Sequence, residues 1–585
     1  MPLRPLHATG LLAVLLASVL SFSSLNSHES EPKSPSILPL QAVSGPQRTV
    51  VILVKFPPST GNSTSPSQIL NILGAMNDYY REDSYGIVSF QTETTPSPSS
   101  PWYVMPNTMA YYGADSPASN TDLVQDGLQA AYDAGVNLAS YKFAIIVHAG
   151  NDEAVTRAGS DIHSYTIPGF VFRPSPLVQI PIPTSVVAES DPMGVYAHEA
   201  GHLLGLPDLY DTTQQIDPNN QFVGYWELMG LGEWNPNNGL PPPAPGPGTY
   251  PSHMSAWSKT DLGFVPASRV ATVQSGESAN ITVENLELQT SGFQAVKIPV
   301  AYDPDGSLTY YLVEMRAKQG TYDQHLPFPS TYPNAGLLIY MINETIPNGS
   351  GSVRLIDAHP GGSLNDAPFG PCGLPCVSNN TFWDQSNYVK IIVTTTTPTA
   401  YTISVDRTDS PPFLLQINTP SEGVLVSVDG VNMTTDSSKQ LRLTVRYGPH
   451  TVFVEARIPL SIGSTSVQVG LANTFVGWDD GGSGNPRGMS IVRDTVLTAV
   501  YRITVEPSLT LAVVALIALT VLVAAMAIHR HVARKAPETP GMAPSGDIAP
   551  TVPSGTPTEN GSLPGNDSLS GETVDKNQEP KGTNP

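Results

Sequence analysis

Residues 198–211 read HEAGHLLGLPDLYD. On a helix, His198 and His202 lie four apart on one face, about 6 Å along the axis, so both imidazoles can reach one ion. Glu199 sits beside them with no need to bind a metal and can take a proton from a water that attacks a carbonyl. Two surface histidines are the plain alternative, and the continuation argues against it. Gly205 can end the helix in a left-handed turn, and Asp208 follows His202 by six residues. That is the spacing of the third ligand in HExxHxxGxxH, with a carboxylate in place of histidine. Two imidazoles and one carboxylate leave a fourth zinc position open.

Working outward, PMGVYAHEAGHLLGL reads as one helix with Val195, Leu203 and Leu206 on its apolar face and Asp191 or Pro192 as its cap. Upstream, RTVVILVKF (48–56) and YKFAIIVH (141–148) are buried strands, and Leu123, Leu128, Ala131 and Tyr132 recur at helical spacing between Asp122 and Gly135. Strand, helix, strand is an α/β start. Beyond about 268 the chain changes to short β runs such as NITVENLEL, SLTYYLVEMRA, AGLLIYMINE and YVKIIVTTTT, separated by Gly, Pro and Asn. A further set, VLVSVDGVNMTT, QLRLTVRYGPHTVFVEARI and TVLTAVYRITV, follows the linker SPPF and has its own turns. The expected order is a catalytic domain over 48–268, a β-sandwich-like domain over 269–408 and a small β stalk over 411–505.

The ends direct the rest outward. Arg4, the apolar run Leu11–Leu20 and a Ser-rich stretch have the layout of a secretory signal over 1–25, with a linker over 26–47. Leu509 to Ile528 is 20 residues without a charge, enough for one transmembrane helix. His529, Arg530, His531, Arg534 and Lys535 follow it and belong on the cytoplasmic side. The Pro-rich remainder of 529–585 reads as a disordered cytoplasmic tail. The formal charge of −22, with only 13% of residues charged against roughly 25% in an average protein, falls on the exported part and excludes a nucleic-acid binder. Proline at 57 of 585 excludes long coiled coils. Two cysteines, Cys372 and Cys376, exclude a cysteine-based metal framework, and PCGLPC leaves a small bridged loop or two thiols equally open. Sequons at Asn62, Asn280, Asn343 and Asn432 mark the chain as a candidate glycoprotein.

HEAGHLLGLPDLYD, GYWELMGLGEW (224–234) and PSHMSAWSKTDLGF (251–264) together resemble the immune inhibitor A family of secreted zinc metalloproteases. YYREDSYGIVSF (79–90), FAIIVHAGNDEA (143–154), YYLVEMRA and GLLIYMINE extend the resemblance to roughly 48–406. It implies a metzincin-like α/β zinc protease fold, zinc ligands His198, His202 and Asp208, the general base Glu199, and Met229 as the methionine of a turn beneath the metal. Protein or peptide substrates and a structural calcium ion come with it, Asp211 and the Asp303–Gly306 turn being oxygen-rich candidates that a plain hairpin turn explains as well. Asp208 has an alternative as a turn cap, with Glu227 then completing the site. Trp226, Trp234 and Trp257 are read as core or cleft walls and His253 as structural. SEGVLVSVDGV resembles small β domains of the PEGA type, a spacer between enzyme and membrane. The expected function is a membrane-anchored extracellular zinc endopeptidase, with a catalytically inactive adhesion or scaffold protein as the alternative.

Overall fold

Val50 to Val54 are buried without a break, as a strand covered on both faces requires. In the computed structural model, which describes residues 42–58, 64–97, 99–114, 116–212, 221–236, 246–303, 306–330, 332–371, 378–462, 467–505 and 507–533, they belong to β1 (Gly45–Lys55). Around it lie β2 (Val88–Thr95), β3 (Tyr103–Val104), β4 (Phe143–His148), β5 (Tyr165–Ile167) and, after the hairpin β6 (Val171–Ser175) and β7 (Val178–Pro181), β8 (Thr184–Ala188). The sheet runs β2-β1-β4-β8-β5, with β3 on β1. β2, β1, β4 and β8 are parallel, and the edge strand β5 is antiparallel to β8.

Alternation along β1 divides two cores. Val51 and Leu53 face α1 (Pro66–Asp83), whose Ile69, Leu73, Met76 and Tyr80 recur every three or four residues. Val50, Ile52 and Val54 face α2 (Pro117–Asp133) through Leu123, Val124, Leu128 and Ala131. Each helix opens on a serine capping box, Ser65 with Gln68 and Ser116 with Ser119. Ser116 and Pro117 therefore start α2 five residues before the expected Asp122.

The helix that carries the histidines, α3 (Met193–Leu204), packs on the α1 side of the sheet, and α4 (Ala256–Asp261) follows. Next comes a sheet ordered β14-β13-β12-β11-β9, from β9 (Val270–Thr272), β11 (Ala295–Tyr302), β12 (Leu308–Ala317), β13 (Ala335–Asn343) and β14 (Val353–Leu355). Facing it is β10-β17-β16-β15, from β10 (Ser278–Glu284), β15 (Thr381–Asp384), β16 (Val389–Thr396) and β17 (Ala400–Asp406). Tyr311, Val313 and Met315 of β12 meet the second sheet, while Tyr310 and Leu312 join the core that holds α3. Nine of the ten β12 residues are buried for that reason.

Two further sheets enclose a small core around Leu415, Val426, Val452 and Trp478. They are β21-β18-β26-β24-β23 and β20-β19-β22-β25, from β18 (Pro412–Asn418), β19 (Leu425–Val428), β20 (Val431–Thr434), β21 (Gln440–Arg446), β22 (Gly448–Val454), β23 (Arg457–Ile462), β24 (Val467–Trp478), β25 (Arg487–Ile491) and β26 (Thr495–Val505). Asp429 and Gly430, both at positive φ, make the tight β19–β20 turn that the Asp-Gly pair announces. The chain is thus mostly β and multidomain. α5 (Pro507–Ala533) contains an 18-residue stretch, Val514–His531, of mean hydropathy 1.8, long and apolar enough to cross a membrane. The expected signal at 1–25, most of the linker 26–47, the tail beyond 533 and both cysteines lie outside the described residues.

Candidate metal centre

α3 is buried along its whole length except at His202. Pro192 precedes its first turn, and Gly205 at φ 109° ends it. There Gly205 N–H donates to His202 O (3.0 Å) and Leu206 N–H to Gly201 O (3.1 Å). That reversal brings Leu206 O to 2.7 Å from His202 Nδ1 and carries Asp208 back over the helix.

His198 Nε2 and His202 Nε2 stand 3.3 and 3.2 Å from one oxygen, Asp208 Oδ1. Zinc bonds of about 2.0–2.1 Å place tetrahedral donors about 3.3 Å apart, so the spacing fits such an ion. Each Nδ1 faces a backbone carbonyl, Leu228 O at 3.1 Å and Leu206 O at 2.7 Å. A proton on each Nδ1 leaves both Nε2 lone pairs directed at the shared point. Burial pushes the His198 pKa down, but Glu233 and Asp208 outweigh it and lift it to about 10. Burial acts upward on Asp208, and its two imidazoles hold it well below the carboxylate range. The donor set therefore attracts positive charge strongly.

Glu199 is buried beside the pair. Its Oε2 accepts from Thr166 Oγ1 on β5 at 2.6 Å, and Ser185 Oγ of β8 donates to its backbone oxygen at 3.2 Å. Met229 lies under the helix, since a Cβ on Gly201 would fall 2.5 Å from its sulfur, and Met229 O accepts from Leu209 N–H at 2.7 Å. Glu227, the alternative ligand, points elsewhere: it accepts from Ser255 N–H and from Ser258 Oγ at 3.2 Å. Trp226 is a core residue with its indole on Leu364 O (2.7 Å), Trp257 is buried, and Trp234 lines the cleft.

The cleft, about 740 Å³, is bounded by Asp152, Arg157, Tyr210, Asp211 and Glu233 as well as by His198 and Glu199. Three neighbours escaped sequence reasoning. Glu233 Oε2 is 3.5 Å from His198 Nδ1, and burial raises its pKa to about 7. The Tyr210 ring lies 5.9 Å from that of His198, its phenol pKa raised by burial and then by Asp208. Thr166 is the third. Glu233 and Tyr210 stood inside quoted motifs, GYWELMGLGEW and HEAGHLLGLPDLYD, without being singled out, and Thr166 stood in none.

A second group, His253, Glu287 and Asp323, also clusters its donor atoms. Here the positive charge is already supplied. Lys259 Nζ lies 3.3 Å from Asp83 and 3.2 Å from Glu287, and Arg316 reaches Asp323 at 2.5 Å and Glu314 at 3.3 Å. His253 pairs with Glu287 through its ring, and its backbone N–H donates to Asp323 Oδ1 at 2.9 Å. This is a buried ion network, consistent with a structural His253. The calcium candidate Asp303 takes the Thr309 hydroxyl at 2.6 Å, and residues 304–305 of its turn are outside the described set.

Residues 181–265 match the family described as Immune inhibitor A peptidase M6, catalytic domain. The Pre-pro-metalloprotease PrtV of Vibrio cholerae is 28% identical over 229 residues, 32% of this chain and 23% of that protein. Immune inhibitor A of Bacillus thuringiensis subsp. alesti is 28% identical over 204 residues, 27% of this chain and 28% of that protein. The chain thus spans about a quarter of the length of these curated relatives. A crystal structure of OgpA from Akkermansia muciniphila aligns with 72% of this chain and 100% of its own at 13% identity, with a TM-score of 0.25, too low to read a shared fold from. The segment that carries His198, Glu199 and His202 thus matches an immune inhibitor A-like peptidase domain, and around it the chain is similar to metalloproteases of that kind.

Proposed function

We propose that this chain is a zinc-dependent endopeptidase that hydrolyses peptide bonds outside the cell, held at the membrane by α5. The observation that supports it best is the convergence of two Nε2 atoms on Asp208 Oδ1 at 3.3 and 3.2 Å, with both Nδ1 atoms turned to carbonyls. In this reading His198, His202 and Asp208 hold the ion, which supplies Lewis acidity toward water and toward the scissile carbonyl. Glu199, held by the Thr166 hydroxyl, takes the proton of the attacking water and passes it to the leaving amine. The half-buried Tyr210 phenol, its pKa raised by burial and then by Asp208, is a further hydrogen-bond donor in the cleft, its ring 5.9 Å from that of His198. Met229 supports α3 from below and touches no substrate. The 27-residue α5, about 40 Å long, spans the membrane and leaves the β units as a spacer.

The test uses the detergent-solubilised full chain in wild-type and Glu199→Gln forms. One zinc per chain in both, with chelator-sensitive cleavage of an unfolded protein by the wild type alone, supports the reading. A wild type that holds zinc and cuts nothing removes the activity, and one without zinc leaves the adhesion alternative.

A further inference from the structure

The third ligand position is not held by the catalytic segment alone. Asp208 uses Oδ1 toward the imidazoles, and its other oxygen, Oδ2, accepts from Asn348 Nδ2 at 3.3 Å. Asn348 stands on the loop between β13 and β14, 140 residues further along the chain. Two backbone bonds reinforce the contact: Gly349 N–H donates to Asp208 O at 3.3 Å, and Thr212 N–H donates to Gly349 O at 3.1 Å. The side chain and backbone of this loop thus bracket Asp208 to Thr212 from outside.

The loop is itself tied down. β13 and β14 pair Ile342 with Val353, Asn343 N–H donates to Ser352 O at 2.8 Å, and Arg354 closes the tip on Gly351 O and Ser350 O, both at 3.1 Å. Gly349 has φ 66°, and a Cβ there would fall 2.0 Å from Thr212 Oγ1, so glycine is what permits the close approach. By contrast, Leu206 to Thr212 has neither helix nor strand of its own. An aspartate on such a segment can rotate, exchange its two oxygens or turn to solvent. A donor fixed on Oδ2 leaves Oδ1 as the oxygen that faces Nε2 of both histidines.

We propose that Asn348 is a positioning residue for Asp208, so that the β domain completes the metal site of the catalytic domain. The proposal rests on Asp208 as a zinc ligand, the reading given above. Partners that orient a ligand typically change metal affinity by about 10–100-fold.

The experiment measures zinc release from the zinc-loaded full chain into a chromogenic chelator, together with melting of the metal-free chain, for wild type, Asn348→Ala, Asn348→Asp and Ser350→Ala. About tenfold or faster release from Asn348→Ala is expected. Asn348→Asp, which puts a second carboxylate against Oδ2, should release faster still. Metal-free melting should stay near wild type, and Ser350→Ala, on the same loop, should release zinc at the wild-type rate. Unchanged release from Asn348→Ala overturns the proposal while leaving the zinc reading intact. Equal acceleration by Ser350→Ala and Asn348→Ala overturns it too, because the loop and not the amide would then matter. A wild-type chain that binds no zinc overturns both readings.

Discussion

At the scale of single residues, the site divides into what eleven consecutive positions specify and what arrives from afar. His198, Glu199, His202 and Asp208 were legible because helix period and a glycine stop fix their relation locally. Thr166, 33 residues before Glu199, and Asn348, 140 after Asp208, belong to no shared period, so only the folded chain joins them. Glu199→Gln keeps His198, His202 and Asp208 and removes the carboxylate proposed as the base. Its kcat should fall about 10²–10⁴-fold with zinc content unchanged, measured by peptide cleavage and metal analysis. Thr166→Val tests the hydrogen bond on Oε2 separately. A bond to a charged group is worth about 1.5–3 kcal/mol, so kcat should drop roughly 10–100-fold while KM and zinc content hold.

At the scale of elements, α3 depends on two glycines for different reasons. A Cβ on Gly194 would lie 2.0 Å from Glu233 O and 3.0 Å from Gly248 O, and backbone atoms yield only if two loops move. A Cβ on Gly201 would meet the sulfur and terminal methyl of Met229, the far end of a flexible side chain rather than backbone. In urea denaturation, Gly194→Ala should therefore cost more than Gly201→Ala, which should stay within the usual overpacking range of about 1–3 kcal/mol. Comparable losses would show that Met229 is as immovable as backbone.

Element boundaries were legible where burial and period agree, as for β1, β4 and α3. The helix α1 went unread, because the half-exposed Leu70 and partly buried Ile72 beside Ile69 and Leu73, with Gly74 between turns, blur its stripe. Strand β8 also went unread. Its Thr184 and Ser185 are polar yet buried, with their hydroxyls donating to Ile182 O at 2.8 Å and to Glu199 O.

For the whole molecule, composition changes near residue 268, but burial continues across it: the core that contains α3 also contains Leu312, Leu338 and Tyr340. Charge crosses there as well. Lys259 sits between Asp83 of α1 and Glu287, and Arg316 of β12 donates to Trp226 O at 3.1 Å. Lys259→Met would leave two buried carboxylates short of a partner, and denaturant unfolding should show a loss of about 3–5 kcal/mol. Acid should weaken the fold through a different group. His148 is fully buried on β4, and burial lowers its pKa to about 4. The unfolded chain takes up this proton near pH 6.5 and the folded chain only near 4, so the contribution is complete above pH 6.5 and lost as pH falls toward 4. The full window amounts to about 3 kcal/mol. Urea midpoints from pH 7 to 4 should fall less steeply in His148→Phe than in wild type.

The bracket that Asn348 and Gly349 place on Asp208 also sets a schedule for biosynthesis. Asp208 leaves the ribosome 140 residues before Asn348 does, a gap of about 7–28 s at ordinary elongation rates of about 5–20 residues per second. Throughout that interval the nascent chain carries the HEAGH helix without the loop that contacts Asp208, so the contacts around the proposed metal site are complete only once the β13–β14 loop has emerged.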